Sequence, residues 1–178
     1  ATALERGSYA IGDEAFRSAY DAARGKARFV RMLYEGYRWA GVAGFAPWCN
    51  LDGYEDGEKA FSDLTVIPRK RTNRLLAGQE NDIRVKVMND ALHSDRITFE
   101  WSYEAGGEEI ESYRDTFRVR QGFGEERTIT IEAPETDRRL EGSLKLKVSQ
   151  PDSDEVPAFE DTWSVPVLPR IDSVATEG

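Results

Sequence analysis

The sequence predicts a mainly β chain, an antiparallel β-sandwich of the immunoglobulin or fibronectin kind, preceded by an N-terminal helical segment and one short strand. Three observations carry this expectation. From Pro68 onward apolar residues recur at every second position, in about six runs separated by turn-forming clusters, the spacing of a sandwich. Between Lys26 and Gly41 the apolar period is three to four, which is helical. Between these regions Val42 to Trp48, "VAGFAPW", is too short for a helix and is bounded by Gly41 and Pro47.

The first element is "GDEAFRSAYDAARGKARFVRMLYEGYRWAG", with Asp13 suited to the N-cap and Gly41 to the stop. Ala27, Val30, Leu33, Tyr34 and Tyr37 form its expected apolar face, and Gly25 is expected to divide or kink it. Val42 to Trp48 follows as a buried strand whose last residues turn outward. A helix that stops at glycine and feeds such a strand is the α-to-β unit of parallel sheets and barrels, yet the chain offers no parallel neighbours.

Beyond Pro68, Ile83, Val85 and Val87 alternate with Arg84 and Lys86, and Ile97, Phe99, Trp101 and Tyr103 alternate with Thr98, Glu100 and Ser102. Further strands are expected at Glu109 to Arg120 (with a break near Ser112), Arg127 to Glu132, Ser143 to Ser149 and Thr162 to Leu168. "NDALHSD", "EAGGEE", "QGFGEE", "APETDRR" and "QPDSDEVP" supply the turns. The expected organisation is a helix-strand-loop segment over residues 1–67, a sandwich over 68–170 and a tail, "IDSVATEG", over 171–178. Packing two sheets face to face places Trp101 and Trp163 in the core, where each indole N–H needs a partner.

Composition narrows the function. A chain of 178 residues with 39% apolar and 32% charged residues can bury a core without disulfides or metals. Its net charge of −9 disfavours nucleic acid and anionic membranes as partners, and the one basic cluster, "PRKRTNR", reads as a solvated linker. Cys49 is the only cysteine, so neither an internal disulfide nor a thiolate zinc site is expected, and no cofactor is. "DGYEDGE" lacks the ligand spacing of an EF-hand. Glu35 lies on the helix while Asp52, Glu55, Asp56 and Glu58 crowd the loop, where close carboxylates raise one another's pKa, but a solvated acidic loop is the simpler expectation. His93 sits in a turn with no nucleophile placed for it, and Cys49 suits a small buried filler.

Taken together, "LYEGYRWAGVAGFAPWCNLDG" followed by "VIPRKRTNRLLAGQENDIRVKVMNDALHSDRITFEWSYEAGGEEI" resembles the end of the (β/α)8 barrel of a clan-A glycoside hydrolase, of the β-galactosidase and β-glucuronidase kind, running into an accessory β-sandwich. The resemblance implies a TIM-barrel remnant in which Lys26 to Gly41 is the last barrel helix and Val42 to Trp48 the final strand. It further implies that Trp48 floors a sugar subsite, with Asn50, Asp52 and Tyr54 contacting sugar hydroxyls. The catalytic carboxyl pair of such enzymes would lie upstream of Ala1, so no catalytic residue is assigned and the upstream barrel becomes the implied partner. An extracytoplasmic or secreted location also follows from the resemblance.

Two other functions compete with this one. A non-catalytic carbohydrate-binding sandwich would need exposed aromatics, for which Tyr103, Tyr113 and Phe123 are the candidates, although alternation points Tyr103 inward. A structural or protein-interaction module would pack on another domain.

Overall fold

The computed structural model describes residues 13–42, 55–70, 73–153 and 156–170, with side chains from Gly25 onward. The chain divides into two compact units, Ala1–Ser62 and Asp63–Gly178.

In the first unit, α1 spans Asp13–Trp39 as one continuous helix, so Gly25 does not divide it. A single glycine costs a helix only about 1 kcal/mol relative to alanine, too little to break one otherwise well formed. Its end is a Schellman cap: Gly41 adopts φ 77°, Val42 N donates to Tyr37 O at 3.0 Å and Gly41 N to Arg38 O at 3.2 Å. The acidic stretch expected as loop is partly a second helix, α2, Glu55–Ala60, whose first turn carries Glu55, Asp56 and Glu58 where the helix dipole favours negative charge. Ala27, Val30, Tyr34 and Ala60 form the small apolar core of this unit. Leu33 and Tyr37, expected on the buried face, are instead each 39% exposed, because the buried stripe runs through Arg31, Glu35 and Arg38. Arg31 holds the two helices together, donating from Nε to Glu35 Oε1 at 2.7 Å and pairing through Nη1 with Asp56 Oδ1 at 3.0 Å.

The expected strand at Val42 to Trp48 begins with an exposed Val42 and otherwise lies outside the described residues. The described residues of the first unit form a pair of helices, and a barrel remnant is not shown.

The second unit is the sandwich. One sheet contains β1 (Leu64–Pro68), β3 (Glu80–Asn89) and β6 (Phe123–Glu132) in the order β1-β3-β6. The other contains β4 (Arg96–Ala105), β5 (Glu108–Arg118), β7 (Gly142–Ser149) and β8 (Phe159–Ser164) in the order β5-β4-β7-β8. All these pairings are antiparallel. The chain crosses between sheets after β3, after β5 and after β6, so the architecture follows from the strand pairings alone. β5 is continuous through Ser112; the irregularity in that hairpin is a register shift between Tyr103 and Glu104. The run expected at Thr162 to Leu168 is two elements, because after β8 the chain leaves its sheet and β9 (Val167–Leu168) pairs parallel to β2 (Leu75–Leu76).

Alternation delivers the core. Val85, Val87, Ile97, Tyr103, Ile129, Ile131, Leu144 and Val148 are fully buried between the sheets. Trp101 is buried as expected, whereas Trp163 is only partly so and its indole Nε1 donates to Asp161 Oδ2 at 2.8 Å.

At one end of the sandwich two buried amides tie three connections together. Asn89 Nδ2 donates to Ser94 O and Val119 O, each at 2.8 Å. Gln150 Nε2 donates to Asn89 Oδ1 at 3.1 Å and to Ser94 O at 2.8 Å. The turns after β3, β5 and β7 are thereby held by side chains, which answers the accounting demand that buried carbonyls find donors.

Candidate functional site

The sequence-predicted site residues Trp48, Asn50, Asp52 and Tyr54, together with Cys49, lie outside the described residues. Of the other sequence candidates, Glu35 is buried and bonded to Arg31, Asp56 pairs with Arg31, and His93 is exposed in its turn. Among the described residues no group of three or more His, Cys, Asp or Glu is placed to hold a metal ion. None of their helices is long and apolar enough to cross a membrane.

The structure draws attention to the open seam of the sandwich. β5 ends one sheet and β6 ends the other, and a cleft of about 330 Å³ lies between them. Register explains its lining. Inward residues of β4 face inward residues of β5 in the pairs Phe99↔Asp115, Trp101↔Tyr113 and Tyr103↔Glu111. β6 contributes Arg127, Thr128 and Thr130 from the opposite wall. The volume is at the lower end of the range for small-ligand pockets.

Two aromatic arrangements define the cleft. Tyr113 stacks on Trp101 with centroids 6.1 Å apart and planes at 28°, and it remains 51% exposed while Trp101 is buried beneath it. Arg127 lays its guanidinium 3.9 Å over the Phe117 ring, a cation–π contact, and approaches Glu125 at 3.7 Å. Glu111 and Asp115 stand on either side of Tyr113 on the same face of β5. Asp115 Oδ1 accepts from the neighbouring Thr116 N at 2.7 Å, and neither carboxylate has an ion-pair partner among the described residues.

A second groove, of about 500 Å³, runs across the outer face of the four-stranded sheet. Register sets Arg114, Glu100, Lys147 and Glu160 in one row of alternating sign. Lys147 Nζ lies 2.9 Å from Glu160, whose hydrogen bond and charge hold the ammonium above the ordinary lysine range. Arg114 reaches Glu100 at 3.7 Å, and Lys145 pairs with Glu104. A ligand here would have to break contacts that already satisfy these groups. The seam asks for no such exchange, and is the better site.

Tyr113 was among the residues that the sequence singled out, and Phe123, also exposed, carries Arg120 3.6 Å over its ring. Tyr103 is buried, as its parity requires. Glu111, Asp115, Phe117 and Arg127 were not anticipated; the available signal was two carboxylates four residues apart on the inward parity of a strand, with a tyrosine between them.

No family model matches the chain, and no curated protein does. Solved structures with similar strand arrangements include the sporulation control protein Spo0M of Bacillus subtilis (16% identity over 60% of this chain and 49% of that one, TM-score 0.42). They also include the C-terminal domain of Wzt (11%, covering 62% and 75%, TM-score 0.45). A CARDB domain from Pyrococcus furiosus, solved with di-metal ions, is similar at 15% identity over 70% and 99%, with TM-score 0.40. The chain thus spans about half the length of Spo0M. These are sandwich domains and not glycoside hydrolases, and no family match supports a clan-A fragment, so the resemblance drawn from "AGFAPW" and the following strands is corrected. What stands is a mainly β chain with antiparallel sheets and two described helices.

Proposed function

We propose that this chain is a non-catalytic recognition module, its sandwich binding a partner at the seam between β5 and β6. The observation that carries the reading is the half-exposed Tyr113 ring, braced by buried Trp101 and flanked by Glu111 and Asp115 in a preformed cleft. A rigid amphipathic ring loses little conformational entropy on binding, and its charged neighbours fix orientation. A protein partner is the main reading, because the cleft opens along a sheet edge. The exposed Tyr113 face also favours a second reading, a carbohydrate ligand stacked on the ring.

The test is a calorimetric screen of the full chain against arrays of peptides and oligosaccharides, with Tyr113→Ala as control. Saturable binding lost in the variant, at an unchanged unfolding midpoint, is the expected result. Binding that ignores Tyr113→Ala would remove the seam from consideration.

A further inference from the structure

Resting on that reading, we infer that the seam takes an extended basic segment of a partner protein, which pairs with β5 as an additional strand and sets Lys or Arg side chains beside Glu111 and Asp115. β5 is the terminal strand of the four-stranded sheet, and its register with β4 runs without a shift from Arg96↔Arg118 to Tyr103↔Glu111. Its second edge therefore turns backbone donors and acceptors outward at every second residue, the template used in β-strand addition, with the Thr116 amide held by Asp115 Oδ1 at 2.7 Å until a partner strand displaces it.

The side chains decide which strand can use that template. Inward-pointing charges are a common guard on sheet edges, and Glu111 and Asp115 serve here: an apolar strand would bury both without counterions. A basic strand supplies the counterions, so the same residues repel one class of partner and select another. The net charge of −9 also speeds encounter with basic segments. Because side chains alternate along a strand, the residues beside Glu111, Tyr113 and Asp115 are the first, third and fifth of five. The partner's expected pattern is basic-x-apolar-x-basic, with small polar residues at x to lie beside Ser112 and Arg114.

The experiment titrates the isotopically labelled full chain with a synthetic Lys-Thr-Val-Thr-Lys peptide, its Glu-Thr-Val-Thr-Glu counterpart and a neutral oligosaccharide, following amide and Tyr113 ring resonances. Shifts along β5, slowed amide exchange on its outer edge, and an affinity about 10-fold weaker in Glu111→Gln/Asp115→Asn are expected for the basic peptide alone. Equal binding of both peptides, or an unchanged affinity in the double variant, overturns the inference. Oligosaccharide shifts at Tyr113 without a response to the basic peptide overturn the ligand class and leave the recognition reading standing. Silence at Tyr113 with all three probes overturns both.

Discussion

The hydroxyl of Tyr103 donates to the carbonyl oxygen of Val165 at 2.8 Å, and it does so across residue 142, where a Cβ would lie 2.3 Å from the hydroxyl and 2.3 Å from that carbonyl. Gly142 is thus required for the space it leaves. Tyr103→Phe strands a buried carbonyl and should cost about 1–3 kcal/mol in urea unfolding. Gly142→Ala should cost about as much through overpacking. Both act on one contact, so the double variant should lose less than the sum of the singles.

Alkaline pH reads the same hydroxyl differently. Burial pushes the Tyr103 phenol up to about 12, from the ordinary value of 10.0. A group whose pKa is higher in the folded than in the unfolded chain contributes stability that is complete below the unfolded value and is lost as pH rises through the folded one. The melting temperature should therefore fall between about pH 10 and pH 12. Tyr103→Phe should flatten that part of the profile, and a decline of equal slope in both proteins would assign it to other groups.

Asn89→Leu removes the donor to the buried Val119 carbonyl and the acceptor for Gln150 at once, while Ser94 O keeps its bond from Gln150. A loss of about 3 kcal/mol is expected, since each stranded polar group carries its own desolvation penalty. Hydrogen exchange should accelerate first at Val119 and Gly122, whose amides close the same turns onto Asp95 and Asn89.

Arg31→Met tests the helix pair. The variant removes the guanidinium that bonds Glu35 at 2.7 Å within α1 and Asp56 at 3.0 Å on α2, so the helical circular dichroism signal should melt at a lower temperature.

How much of this was legible depends on what each strand buries. β3, β4 and β7 each bury one face, so Val85, Trp101 and Leu146 alternate with charged or polar neighbours and announce themselves. β1 does not alternate, because all five of its residues are buried, and it ends in a proline that reads as a boundary. β5 is the reverse case, exposed on both faces apart from Ile110 and Phe117, so periodicity overlooked its continuity. β2 and β9 are two residues each and owe their existence to each other, not to local pattern. The seam shares this dependence: Trp101 meets Tyr113 only through a register that no single segment encodes. The barrel reading failed for a related reason, since a short apolar run after a helix is common to many folds.

The Asn89–Gln150 contact also makes the two ends of the sandwich unequal as places where the chain can grow. At the tied end, an insertion beside Ser94 or Val119 would pull a carbonyl from its amide donor. At the other, Asp137, Arg138 and Arg139 lie exposed between β6 and β7, and Gly106 and Gly107 turn the β4–β5 hairpin in left-handed conformations with open space around Gly107. Grafted loops, tags or fluorophores therefore belong at Asp137–Arg138, where the bonds lost are the exposed ones between Thr136 Oγ1 and Arg138 and added length is entropically cheap.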